Sequence, residues 1–546
     1  MSKLTNNDGS PLHPAVGKLS KQVVEGEISR RQFLRTVALL GVAVPSAEAF
    51  LASTIGGIAP TPALADEAPR QGGVLRFQAQ IQEIVDPALS QWIDGSNVYR
   101  QSLEYLTEVD ADNITKPYLA ESWKPSEDLK TWVFKIRQGV KWSNGDDFDA
   151  DDVMFNFKRW TAPDSKSNMK TSFSMLKSVE KTGSHEITLN LDKSVLSIPE
   201  MLYAQNAPIL HRKFDEQGAN WPKNPIGTGP FQLVDYAVAQ RATLKRRDGY
   251  WGKPAYVDEI HFINLGNDRQ AHIAALVANQ VDILYGVSVT ELDLVDKLPQ
   301  VKLLREKAAN TVCIRMRAAE KPFDDERVRK AIVLAADNKK MLEIGIRNQG
   351  SVAENHHVAP FHPEYAALPP VPRDVAKAKA LLAEAGYKDG IDVELMVGNT
   401  QGLWEQNTAQ VLQQSLAEAG IRLKLNVVPS AQYWPVWTKV PFGMTYWAHR
   451  PLGVIAMDLA YRTGASWNES GYANLEFDKA LDIAMAEVDP KKRSVHMAKT
   501  EKILQDSAVM IQPFWLDKLT AVSPKVRNYR VHPSDFFKLH EVWLAA

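Results

Sequence analysis

Ile391-Asp-Val-Glu-Leu-Met-Val397, a helical run from Gln406 to Ala419 closed by Gly420, and Ile421-Arg-Leu-Lys-Leu-Asn-Val-Val428 follow one another within residues 391–428. The two flanking runs alternate apolar and polar residues, the period of a strand. The middle run is long enough for a helix, and Gly420 is a usual helix terminator. Two strands joined through a helix are most simply parallel neighbours in one sheet. This stretch therefore predicts an α/β lobe built on a parallel pair.

The surrounding sequence extends the pattern. Asp374 caps a helix over Val375 to Ala385 that stops at Gly386, and Asp324 or Asp325 caps Arg327 to Ala336. Phe477 to Val488 and Asp489 to Asp506 read as two more helices, followed by an apolar strand at Ala508 to Trp515 and a mixed tail. The earlier half is richer in strands. Val74 to Gln80 alternates, and Ser96 caps a helix running to Leu106. Trp132, Phe134 and Ile136 recur at period two, so one face of that strand is buried. Asn144-Gly145 marks a turn, after which Asp149 caps a helix over Ala150 to Trp160. Ile187 to Leu191 is another strand, and a Gly227-Thr-Gly-Pro turn leads into strands at Phe231 to Tyr236 and Arg241 to Arg246.

The N-terminus reads as a leader. Ser29-Arg-Arg-Gln-Phe-Leu-Arg-Thr36 places two arginines before a moderately apolar run, the address of the twin-arginine (Tat) export machinery. The apolar run from Val37 to about Ile58 is interrupted by Pro45 and Glu48, which makes it a poor membrane span. Ala63-Leu64-Ala65 offers a cleavage pattern. Residues 1–65 are therefore expected to stand apart from the fold, and the remainder to work in the periplasm. That remainder keeps 58 basic against 61 acidic side chains, a near balance that favours neither nucleic acid nor a membrane surface as partner. With Cys313 as its one cysteine, the chain forms no internal disulfide.

Three stretches together carry a resemblance. They are Leu119 to Trp160, with Gly139-Val-Lys-Trp142 and Asp149-Ala-Asp-Asp-Val153; Asn224-Pro-Ile-Gly-Thr-Gly-Pro-Phe231 followed by Asp248-Gly-Tyr-Trp251; and the helix Ala376 to Tyr387 ending Leu-Leu-Ala-Glu-Ala-Gly-Tyr. In this order the chain resembles the family-5 solute-binding proteins of bacterial ABC importers, the group of peptide-, dipeptide-, oligopeptide- and nickel-binding proteins. The resemblance implies a two-lobed periplasmic-binding-protein fold with an extra small domain inserted in the first lobe. The first lobe would comprise residues 71–115, 228–312 and 513–546, the inserted domain 116–227, and the second lobe 313–512. It also implies a monomer that closes on a small-molecule or short-peptide ligand and presents it to an ABC permease in the inner membrane. No bond is made or broken in that task. An exported hydrolase and a ligand-delivering receptor on the same scaffold are the alternatives.

The resemblance points to Met444-Thr-Tyr-Trp-Ala-His-Arg-Pro451 as a ligand-binding strand end. In peptide-binding relatives a Trp is followed, after two small residues, by an Asp that holds the ligand's free amine. Aligned on Trp447, that position is Arg450; a slip of one residue gives His449 or Pro451. An arginine repels an ammonium group and suits a carboxylate or phosphate. Tyr446, Trp447, His449 and Arg450 are thus expected at the ligand, with Trp92, Trp467 and Asn468 where relatives place cleft residues.

No enzyme site emerges, and no metal or cofactor is expected. Ser174-Met-Leu-Lys177 and Lys181-Thr-Gly183 mimic two penicillin-binding elements but lie four residues apart, without the third element. The Asp146 to Asp152 cluster lacks the glycine and terminal glutamate of a calcium loop and reads as a helix start. His356, His357 and His362 read as a His- and Pro-rich surface loop.

Overall fold

A computed structural model of the chain describes residues 4–55, 67–90 and 93–545. The deciding stretch folds as its pattern predicts. Ile391–Val397 and Ile421–Val427 run parallel, Ile391 opposite Ile421 and Val397 opposite Val427, with helix Leu403–Ala417 between them in sequence. Gly420 adopts φ 80°, a left-handed conformation that costs glycine nothing and ends the helix.

These two strands begin a mixed sheet. Its order continues through Phe442–Trp447, Lys302–Met316, Phe514–Val522, Ile283–Leu284, Val74–Gln78, Glu259–Ile263, Arg241–Arg246 and Phe231–Ala237. Lys302–Met316 is the central member and changes partner along its length. Lys302 to Glu306 pair with Val522 to Lys518, whereas Thr311 to Met316 pair with Trp447 to Phe442. Between these halves the register shifts, between Glu306 and Asn310.

A second, four-stranded antiparallel sheet is formed by Ala120–Pro125, Thr131–Ile136, Glu186–Leu191 and Leu176–Gly183. Helix Ala150–Thr161 begins at a reciprocal capping box between Asp149 and Asp152. Arg212 reaches Asp149 at 2.6 Å and Asp152 at 2.8 Å. The acidic cluster is thus a capped helix start held by a guanidinium. The Gly-Thr-Gly turn is a close backbone crossing: a Cβ on Gly227 would lie 2.0 Å from the Ser102 carbonyl oxygen.

Three elements depart from the sequence reading. The helix expected at Ser96 to Leu106 spans Ile93–Tyr99, with the Ser96 hydroxyl donating to the Ile93 carbonyl inside it. Beyond it the chain leaves the helix, and the buried Glu104 carboxylate accepts from the Tyr250 hydroxyl at 2.6 Å and Trp251 Nε1 at 2.8 Å. The strand expected at Ala508 to Trp515 divides into Met510–Ile511 and Phe514–Val522. Pro513, which has no N–H to give a ladder, lies at the break.

The third difference is that the described part of the N-terminal segment packs on the fold where it was expected to stand apart. Residues 4–55 are built into the fold as helices Ala15–Val24, Arg30–Leu39 and Val44–Ile55. Arg30 and Arg31 are exposed, but Phe33 and Val37 are fully buried in a cluster that continues through Trp123 and Trp132 to Met457 and Phe477. An amphipathic helix must cover its apolar stripe, and here the rest of the chain supplies the cover. The Ala63 to Ala65 pattern lies outside the described residues. Among the described residues no helix is long and apolar enough to cross a membrane.

Candidate functional site

A cleft of about 540 Å³ lies where the central sheet meets the segments around it. One wall carries Gln82, Asp94 and Tyr285; the other carries Trp434, Trp437, Trp447, Trp467 and Arg450. Strand Phe442–Trp447 delivers Tyr446 and Trp447, and Arg450 follows in the loop beyond its end.

The four indoles form a continuous aromatic wall. Trp437 lies 5.9 Å from Trp434, 6.3 Å from Trp447 and 6.2 Å from Trp467, and Trp447 lies 5.9 Å from Trp467, all edge to face. The wall is anchored from behind by Glu469. Its carboxylate accepts from Trp447 Nε1 at 2.6 Å, the Thr445 hydroxyl at 2.6 Å and Arg315 Nε at 2.8 Å. Arg315 and Glu469 are buried, so this ion pair is held in a low dielectric and its geometry is fixed by the remaining donors.

Arg450 differs from Arg315 in having no counter-ion among the described residues. Its Nη1 donates to the His449 carbonyl at 3.0 Å and its guanidinium carbon lies 6.0 Å from the Trp467 ring centre. Among the described residues no carboxylate pairs with it. Burial pulls its pKa down to about 10, so it remains a cation at neutral pH. Its backbone carbonyl accepts from His362 Nε2 at 2.9 Å, which fixes the loop. The facing wall places Tyr285 beside Asp94 and Asp535, and Lys518 pairs with Asp535 at 2.6 Å.

Of the residues picked from sequence, Tyr446, Trp447, Arg450 and Trp467 line this cleft together. His449 is buried behind it. Its Nδ1 accepts from the Ala309 N–H at 2.9 Å, so Nε2 carries the proton and donates to Asn113 Oδ1 at 3.0 Å. It thereby pins the irregular segment of strand Lys302–Met316. Asn468 turns into its own loop, its Nδ2 donating to the Tyr472 carbonyl at 2.7 Å. Trp92 lies outside the described residues.

The expected surface loop of histidines is a correction. His356, His357 and His362 are all buried. His357 Nδ1 meets the Tyr461 hydroxyl at 2.9 Å, and His362 Nδ1 accepts from the Ala359 N–H at 2.9 Å. Burial lowers the pKa of His356 and of His362 to about 4, so both are neutral packing residues at pH 7. Among the described residues no group of three ligating side chains is placed to hold a metal.

Trp434, Trp437, Glu469 and Asp94 were missed in sequence. Two tryptophans three apart in the aromatic-rich run Tyr433-Trp-Pro-Val-Trp437 were the available signal, since aromatics line ligand clefts.

Fold and cleft define a two-lobed α/β periplasmic-binding-protein architecture, the form of a substrate-binding component of an ABC importer. The pattern describing the bacterial extracellular solute-binding proteins, family 5 (middle region), matches residues 115–458, and the chain belongs to that family. It is 27% identical to heme-binding protein A of Haemophilus influenzae over 77% of this chain and 82% of that one. It is 25% identical to the oligopeptide-binding protein AppA of Bacillus subtilis over 87% and 92%. Its fold is similar to that of the periplasmic binding protein DppA of Helicobacter pylori in complex with the peptide STSA, with TM-score 0.77 and 23% identity over 87% of this chain and 98% of that one.

Proposed function

We propose that the chain captures a polar solute bearing an anionic group, holds that group at Arg450, and closes its lobes over it before delivery to an inner-membrane permease. The carrying observation is Arg450: a cation without a carboxylate partner among the described residues, set in an aromatic wall. Leaving a charge partly desolvated is costly, and a ligand anion is the natural compensation. The indoles suit a flat or apolar ligand face. The lobes would be residues 71–115 with 228–312 and 513–546, carrying the small domain 116–227, and residues 313–512. Strands Lys302–Met316 and Phe514–Val522 would be the hinge, and ligand contact with both walls would favour the closed state. Export by the Tat route to the periplasm and action as a monomer without catalysis complete the reading. The ligands named for the relatives, peptides among them, are candidates.

Native mass spectrometry of protein purified from periplasm identifies the retained ligand, and intrinsic tryptophan fluorescence then measures its affinity. Arg450→Asp is expected to weaken it at least tenfold, since attraction becomes repulsion. Equal affinity of the variant, or consumption of the ligand by the purified protein, overturns the reading.

A further inference from the structure

The cleft does not end at Arg450. A second chamber of about 100 Å³ lies beyond it and shares Gln205, Arg450 and Trp467 with the cleft. Its walls are largely apolar, with Met201, Ala204, Ile455, Leu459, Met485 and Phe536 contributing. Two of the polar groups there are held by neighbours. Asp458 pairs with Arg462, and His449 is held between Ala309 and Asn113. Among the described residues Glu200 Oε2 and Asn206 Nδ2 have no partner, and burial raises the Glu200 pKa to about 8, so at neutral pH neither brings a fixed charge.

Resting on the reading of Arg450 as the anion's partner, we infer that the ligand is a carboxylate whose neighbouring carbon carries an apolar branch of about four carbons, which enters this chamber. Geometry carries the assignment, because Arg450 and Trp467 stand at the junction of the two spaces. A carboxylate on Arg450 leaves the substituent of the adjacent carbon next to the chamber mouth. Size sets the branch. An apolar cavity of about 150 Å³ admits benzene, so a space of about 100 Å³ takes a Val- or Leu-sized group and excludes an indole. A chamber of this lining gains affinity from apolar surface and offers little to a charged substituent.

The probes are the tripeptides Ala-Ala-Gly, Ala-Ala-Val, Ala-Ala-Leu and Ala-Ala-Trp, titrated calorimetrically into the full chain and into Arg450→Asp. Ala-Ala-Leu is expected to bind at least tenfold more tightly than Ala-Ala-Gly, and Ala-Ala-Trp no better than Ala-Ala-Gly. Ala204→Phe, which fills the chamber, is expected to abolish the advantage of Leu over Gly. Leu459→Ala, which enlarges it, is expected to shift the optimum towards Trp. Four equal affinities that all depend on Arg450 overturn the chamber assignment and leave the anion site standing. Binding that ignores Arg450, or none by any probe, overturns both. A Leu preference that survives in Ala204→Phe places the branch elsewhere and refutes the inference.

Discussion

Two buried carboxylates set sharp expectations. Glu469 neutralises Arg315 while holding Trp447 and Thr445, so Glu469→Gln keeps the shape and removes the charge. A buried guanidinium left without its partner costs about 3–5 kcal/mol, and urea unfolding of the Gln variant should register that loss. A change below about 1 kcal/mol would mean that the wall is not anchored there. Glu501 carries the opposite message. It is fully buried, with His356 Nδ1 3.2 Å from one oxygen and no counter-ion charged at neutral pH. Burial raises its pKa from the ordinary 4.5 to about 10, with Glu364 and Glu354 adding to the rise. Between those values the folded chain keeps a proton that the unfolded chain releases, so stability falls as pH rises from 5 to 9. His356 runs the other way: its pKa falls from 6.5 to about 4, and its share of stability is lost as pH drops through that window. Glu501→Gln removes the first slope alone. Its melting temperature should exceed the parent's at pH 8.5, by the equivalent of up to about 5 kcal/mol, and converge with it towards pH 5. Arg450 was legible because a family strand end supplied an alignment. Glu469, two residues past Trp467, was not, because the acceptor role of a carboxylate appears only once Arg315 and Trp447 are brought to it.

At the scale of elements, caps and alternation were the readable signals. Asp149, Asp325 and Asp374 cap the helices their positions predict, because a side-chain acceptor beside free N–H groups is a local arrangement, whereas Asp489, read as the first helical residue, is the N-cap of Pro490–Ser507. Strand Lys302–Met316 was unreadable for a physical reason. Its first half is largely exposed and charged, whereas every residue from Lys307's neighbour Ala308 to Met316 is buried, so neither half alternates. A strand covered on both faces reads as a continuous apolar run, and this one gains that cover only from distant partners. The same logic governs the Gly227-Thr228-Gly229 turn, whose glycines are legible but whose reason is not. The reason is Ser102: its carbonyl oxygen accepts from the Gly229 N–H at 2.9 Å and would clash with any Cβ on Gly227. Gly227→Ala is therefore expected to cost about 2 kcal/mol or more, with the loss seen in thermal unfolding. A silent substitution would show that the crossing yields without strain.

For the whole molecule, the N-terminal helices pose the largest question, because they touch both sides of the cleft architecture. Arg35 donates to the Asp112 carbonyl at 2.8 Å through Nη2 and to the Phe361 carbonyl at 2.9 Å through Nη1. Leu39 accepts from Trp123 Nε1 at 2.8 Å, and Asp8 pairs with Lys135 at 3.0 Å. On the other flank Lys18 reaches Asp489 at 2.6 Å and Gln32 the Pro363 carbonyl at 2.8 Å. Asp112 and Trp123 belong to the segment that includes Asn113, the partner of His449 across the strand crossing, whereas Phe361 and Pro363 flank His362, which holds the Arg450 loop. The proposed opening of the cleft separates these two sets of contacts, and the N-terminal helices tie them together. A chain beginning at Glu67 loses the tie, and Trp123 loses its cover. Compact-chain scaling predicts that removing 66 residues of 546 shrinks the radius of gyration by about 5%. Freed lobes oppose that shrinkage. Small-angle scattering of the ligand-free 67–546 chain should therefore give a radius no smaller than that of the full chain, with a melting temperature lower by about 2–5 °C. A radius smaller by the scaling amount, at an unchanged melting temperature, would show that the helices rest on the surface without restraining the hinge.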